Sequence, residues 1–289
     1  MRKIIYLLLA LGLFTACTKE IDFDFNEIDP IVVIEGHISN EGCMVVVSRS
    51  RSVNDATHAH CLEGAIVTIT GNGSTIALTY DVEKDCYYSS VTGVPGNTYQ
   101  LSVDFEGKHY EATSLMPSQA PIVSSEFMWM PMMNERWLSY EMWAKDPNPD
   151  QRDYLWFRMH RFSSHPHFEG KPQTEPYTWD LFDDRGCPPG TIFMDMVTVS
   201  EKMMNDDEKE NWKWIFYDGD SITAELIAVD RTVYDYLSEL RASQYGRGAN
   251  PHSNISGGCL GFFAAESVSH TDTIVFYRDK VPNYDKNSK

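Results

Sequence analysis

Tyr99-Gln100-Leu101-Ser102-Val103-Asp104-Phe105-Glu106 alternates apolar and polar side chains without a break. A period of two puts Tyr99, Leu101, Val103 and Phe105 on one face of an extended strand, in a core, and leaves the other face in water. Pro95-Gly96 precedes this stretch as a turn, and Gly107 follows it, turning the chain into a second strand over His109 to Ser114. Upstream, Ala65 to Thr70 and Thr75 to Tyr80 flank Gly71-Asn72-Gly73, whose residues tolerate the positive φ of a tight hairpin. The β-branched run Ile31 to Ile38, with Met44 to Val47 and Tyr87 to Val91, completes about seven short strands at regular spacing. Residues 31–117 are therefore expected to form an immunoglobulin-like or transthyretin-like β-sandwich, closed by Met116-Pro117-Ser118.

The remaining residues, 118–289, read as a second β-rich domain with one amphipathic helix, so the whole chain is mainly β. All seven tryptophans fall in this half. Leu138, Tyr140 and Met142 alternate as a strand, and Tyr154 to Phe162 is a longer, aromatic-rich one. Ser163 to Gly190 carries five prolines and three glycines and predicts a long irregular excursion; such loops are usually either functional or disordered. Trp212 to Tyr217 and Ser221 to Val229 predict a hairpin across Asp218-Gly219. Asp230 is placed to cap a helix running to about Gln244, with Val233, Leu237 and Leu240 on one face. Gly261 to Val268 and Thr271 to Tyr277 predict a closing hairpin.

The first residues have a different character. Met1-Arg2-Lys3 is basic, Ile4 to Phe14 carries no charge, and Thr15-Ala16-Cys17 ends in a cysteine after small residues. That is the pattern of a secretory signal over residues 1–16, with an apolar run too short to span a bilayer. Phe14-Thr15-Ala16-Cys17 resembles the lipobox of bacterial lipoproteins, with Phe14 in place of the usual leucine. The expectation is cleavage before Cys17 and acylation of it, so that several acyl chains hold the protein on a membrane. Residues 17–30 then form an acidic tether.

Composition narrows the function classes. Hydrophobic residues make up 42% of the chain, enough for packed cores, and the formal net charge is −18. Such acidity argues against nucleic acid as a partner and against a polybasic membrane patch. Cys43, Cys61, Cys86, Cys187 and Cys259 form no C-x-x-C pair, an odd number remains after Cys17, and disulfide pairing is left open. His58-Ala59-His60 and His160 with His165-Pro166-His167 invite a metal reading, but no third ligand is fixed by spacing, and exposed loop histidines are the plainer reading. Asp206-Asp207-Glu208 with Glu210 lacks the spacing of a calcium loop. No nucleophile elbow, zinc-protease or phosphate-loop signature is present, so the chain is expected to be non-enzymatic, with no cofactor and no metal. The strand tryptophans are read as core. Tyr177, Trp179 and Phe182 lie in the proline-rich excursion and are the candidate binding surface.

Several segments together resemble one lipoprotein family. They are Thr18 to Phe23, Ile31 to Gly36 with Ser48-Arg49-Ser50, Gly64 to Ile69, Pro95 to Tyr99 and Tyr110-Glu111-Ala112. Tyr234 to Leu237, Asn250-Pro251 and Ser253 to Gly258 leading into Leu260 to Phe263 complete the set, with Cys259 interrupting a Gly-Gly-Leu-Gly run. In these the chain resembles the Bacteroidota family known as domain of unknown function 4249. The resemblance implies an outer-membrane lipoprotein, often encoded beside a TonB-dependent transporter, and carries over no catalytic residue. The expected function is that of a non-enzymatic accessory to such a transporter in nutrient capture or uptake. A surface adhesin or glycan-binding module is the alternative, and a hydrolase with an unrecognised site a third. Lys19, Glu20, Asp22 and Asp24 follow the lipid cysteine as surface-export signals do in the resembling lipoproteins, so exposure on the outer leaflet is expected. Asp220-Ser221-Ile222 and Asp272-Thr273-Ile274 resemble the acceptor for protein O-glycosylation in this bacterial group, at Ser221 and Thr273.

Overall fold

The computed structural model of the chain describes residues 29–51, 59–206, 211–244, 246–247 and 250–284. Among them the fold is mainly β, with two sheets. The first half supplies β1 (Val32–Ser39), β2 (Gly42–Arg49), β3 (Ile66–Gly71), β4 (Ser74–Asp81), β5 (Cys86–Ser89), β6 (Thr98–Phe105) and β7 (Lys108–Leu115). Tyr99, Leu101, Val103 and Phe105 of β6 are all buried, while Gln100 and Asp104 are exposed, as their alternation predicts. The turns fall at Asn72-Gly73 and at Gly107, as expected, and the second also takes in Glu106 from the end of the alternating stretch. Asn72 and Gly73 have φ of 49° and 74°, and Glu106 and Gly107 have 51° and 75°, the doubly positive geometry that suits the twist of a hairpin.

The second half supplies β8 (Ile122–Met132), β9 (Glu135–Lys145), β10 (Tyr154–Phe162), β11 (Thr178–Asp183), β12 (Thr191–Ser200), a short α1 (Glu201–Asp206), β13 (Ser221–Val229), α2 (Arg231–Gln244), β14 (Leu260–His270) and β15 (Ile274–Val275). The larger sheet runs β11-β10-β13-β14-β1-β2-β5-β4-β3-β6-β7, with β15 on β13; the smaller is β12-β9-β8. The smaller sheet packs on the β10–β13 region through Phe127, Tyr140, Phe157, Leu226 and Phe276 to make a second sandwich core. Helix α2 covers the opposite face of β13 and β14 with Val233, Tyr236 and Leu237.

One strand crosses the boundary expected near residue 117. β14 lies parallel to β1, with Val33 opposite Leu260 and His37 opposite Ala264. Its Phe263 and Ala265 enter the core of the first half, while Phe262, Ala264 and Val268 enter the core under α2. Burial on both faces is what a strand inside a covered, parallel-paired region requires. The sandwich of the first half thus takes part of its core from the far end of the chain.

Two glycines make this possible. Gly261 has φ of +99°, and a Cβ there would meet the Ile34 carbonyl oxygen at 2.0 Å; Gly257, just ahead of β14, has φ of +98°, and a Cβ there would meet the His109 carbonyl oxygen at 2.5 Å. Only a residue without a side chain lets β14 run against both β1 and β7. Side chains then tie β7 to its neighbours. Ser114 Oγ accepts the Ala265 N–H at 2.9 Å and donates to Asp230 Oδ2 at 2.6 Å. Asp230 in turn accepts the Val233 N–H at 2.9 Å, the N-cap expected for α2.

Three expectations need correction. Trp212 to Tyr217 is not a strand, because Arg161 engages its carbonyls in place of a ladder partner. Ile274–Val275 pairs with β13, not β14, so there is no closing hairpin. The excursion of residues 163–190 is less irregular than its prolines suggest, since it contains a 3-10 turn (Pro166–Phe168) and strand β11. The five described cysteines are all free. Burial pushes the Cys43 and Cys259 thiols up to about 11, which keeps them protonated and inert.

Candidate functional site

Strand β10 points Leu155, Phe157 and Met159 into the second core, and the same face continues to Arg161. A cation therefore sits at the open end of an apolar stripe. Its guanidinium is satisfied by backbone: Nη1 donates to the Ile215 carbonyl at 2.7 Å and Nη2 to the Lys213 carbonyl at 2.9 Å. It also lies over the rings of Phe168, 4.5 Å from the centroid, and Tyr177, at 5.0 Å. Burial lowers the Arg161 pKa, and the charge of Asp220 works against that loss.

Around this floor three segments close a cleft of about 450 Å³. The first is the loop after β10, folded back where the Gln173 side chain bonds both the N–H and the C=O of Ser163 at 2.7 and 2.9 Å. It brings Phe168 and Lys171. The second is Pro176-Tyr177 ahead of β11; the Tyr177 hydroxyl donates to the Trp214 carbonyl at 3.1 Å, and burial pushes its pKa up. The third is Trp212-Lys213-Trp214, held by Arg161. Phe168 meets Trp212 edge-on at 5.0 Å, and Lys171 Nζ sits 3.9 Å above the Trp212 ring. Trp214 keeps 54% of its surface exposed and forms the outer wall.

The result is a lobe of aromatic faces with Arg161, Lys171 and Lys213 on its lining and Glu175 as its acid. On a chain of net charge −18 this is a locally cationic concavity. Aromatic faces take the apolar face of a ring, and ammonium groups beside them attract an acidic substituent.

The candidate surface of Tyr177, Trp179 and Phe182 is divided by the structure. Tyr177 lines the cleft. Trp179 stands under the Arg241 guanidinium at 5.5 Å, beside α2, and Phe182 packs against the second core. Of the histidines, His58 lies outside the described residues and His60 bonds Asp85 at 3.0 Å. His160 faces Glu225 at 3.6 Å, His165 stacks on Tyr217 at 3.8 Å, and His167 approaches Trp212 at 5.9 Å. Cys17 and its tether up to residue 28 lie outside the described residues, as do residues 207–210 of the acidic run. Ser221 opens β13, half-buried, with its neighbour Asp220 buried and bonded to the Tyr217 N–H at 2.9 Å; Thr273 is exposed beyond β14. No described helix is long and apolar enough to cross a membrane.

Arg161, Phe168, Lys171, Trp212 and Trp214 were not anticipated as a site. The triplet Trp212-Lys213-Trp214 was the available signal, but its alternation reads equally well as a strand.

The family model described as "Domain of unknown function (DUF4249)" matches residues 18–272, and the chain belongs to that family. No curated protein matches it.

Proposed function

We propose that this member of the domain-of-unknown-function family is a non-enzymatic lipoprotein, anchored on the outer membrane through Cys17 and facing outward. In this reading it captures a small ring-bearing, anionic nutrient for a TonB-dependent transporter. The observation that carries the reading is the Arg161 cleft: a preformed concavity with aromatic walls and cationic lining on an otherwise acidic protein. The signal sequence and Cys17 supply the anchor, and clustered acidic residues after Cys17 support the outward orientation. A second reading, glycan recognition, is favoured by the exposed Trp214 face, on which a sugar ring can stack.

The test begins with localisation. Labelled palmitate should mark the wild type, and Cys17→Ala should release it from membranes. Proteinase K should shave it from intact cells; survival until lysis would place it on the periplasmic face and overturn the orientation. Pull-down from solubilised outer membrane should then recover a transporter. Glycan-array binding without a transporter would favour the adhesin reading instead.

A further inference from the structure

At the end of the second sandwich opposite Arg161 along β10, three loops converge. Asp146 follows β9 of the smaller sheet. Asp153 precedes β10 and Asp184 follows β11, both in the larger sheet. One carboxylate oxygen from each lies within 4.8 Å of the other two. Asp146 and Asp153 are buried and Asp184 is half-buried.

The loops are fixed independently of any ligand. Asn148 N–H donates to Asp146 Oδ1 at 2.8 Å, Asp153 N–H to Asp184 Oδ1 at 3.2 Å, and Asp146 N–H to the Gly190 carbonyl at 3.2 Å. Asn148 Nδ2 reaches Asp153 Oδ1 at 3.4 Å. The neighbouring Arg185 pairs with Asp183, at 2.7 Å, and not with Asp184. What is left over is Asp153 Oδ2: Asp153 is only 8% exposed, and this atom is buried with no hydrogen-bond partner among the described residues. A buried carboxylate oxygen without a donor costs more than an exposed one, and two further carboxylates beside it add repulsion.

We infer that Asp146, Asp153 and Asp184 bind a calcium ion that staples the β9–β10 loop to the end of β11, and so one sheet of the second sandwich to the other. The donor set is all oxygen and acidic, which suits a hard divalent cation; calcium accepts six to eight oxygens in flexible geometry, so water and backbone carbonyls complete its shell. Magnesium requires a tighter octahedron and keeps more of its water. The staple is distinct from the Arg161 cleft and does not depend on the function proposed for it.

Calorimetric titration of the full chain with calcium chloride, after treatment with a chelator, tests this. One site is expected, with Kd on the order of 10⁻⁴ to 10⁻³ M as in extracellular calcium modules, and weaker binding of magnesium. At about 10 mM calcium the Tm should rise by roughly 3–10 °C. Asp184→Asn, at a half-buried position, should fold and lose the heat of binding. Asp153→Asn should keep or raise the Tm in chelator, because it removes repulsion, yet no longer respond to calcium. Equal melting in calcium and chelator, or a calcium response that survives in Asp184→Asn, would overturn the assignment. A rise in Tm for Asp153→Asn without any calcium binding by the wild type would show three carboxyls sharing a proton instead.

Discussion

His37 Nδ1 lies 3.2 Å from Glu266 Oε1, joining strands β1 and β14 across 229 residues of sequence. The imidazole also meets Phe262 edge-on at 5.2 Å. Burial alone would lower its pKa, but the charge and hydrogen bond of Glu266 outweigh that and leave it above the ordinary 6.5. The folded state therefore binds the proton more tightly than the unfolded chain. The stability this contributes is complete below about pH 6.5 and is lost as pH rises through the raised value. Urea midpoints measured upward from pH 6 should fall across that window, and Glu266→Gln should flatten the dependence. A wild-type midpoint that stays constant across the window would show that the pair is not ionised.

Gly261→Ala should be among the most damaging single substitutions in the chain. The new Cβ would overlap the Ile34 carbonyl, and the backbone is already at positive φ. A loss of about 2–4 kcal/mol in equilibrium unfolding is expected. Gly73→Ala, at positive φ but in open space, is the control and should cost only about 1 kcal/mol.

Within the cleft, stability and binding should separate by residue. Arg161→Ala leaves two backbone carbonyls without donors and empties a buried position, so it should destabilise by about 2–4 kcal/mol. Trp214→Ala removes an exposed wall and should change stability by no more than about 0.5 kcal/mol. It should nevertheless weaken ligand capture about tenfold or more, as loss of an aromatic anchor does. Unaltered uptake or binding in Trp214→Ala would exclude the cleft.

Exposure separates the two candidate glycosylation acceptors. Thr273 and Asp272 are both exposed, whereas Ser221 is paired in β13 and Asp220 is buried. Intact-mass analysis of the native protein should show hexose that Thr273→Val removes and Ser221→Ala leaves in place. Glycan retained in Thr273→Val would refute the assignment.

The strands of the first half were legible because their information is local: alternation along Tyr99–Phe105, and Asn72-Gly73 and Gly107 at turns that need positive φ. The helix after Asp230 was legible for the same reason. The parallel pairing of β1 with β14 was not, because nothing near Val33 names Leu260 as its partner. Continuous burial also removes the alternation that would mark a strand with one wet face. The cleft was half legible. Prolines pointed to residues 163–190, of which Tyr177 lines the cleft, but the Arg161 guanidinium that gathers Phe168 and the backbone beside Trp214 lies at a position that reads as ordinary strand. Asp153 and Asp184 meet because β10 and β11 are antiparallel neighbours, with Tyr154 opposite Asp183, and Asp146 joins them from the end of β9 in the other sheet.

The place of β14 beside β1 also sets the order of events during synthesis. Synthesis from the N-terminus delivers β1 to β7 long before Phe263 and Ala265 arrive. Until then β1 has a bare edge, and the first core lacks part of its filling. So distant a contact makes closure late and slow relative to the local hairpins. Strand β14 is a latch: a chain cut short before residue 260 keeps an open sheet edge and stays a target for proteases and chaperones, whereas one that includes it closes on itself.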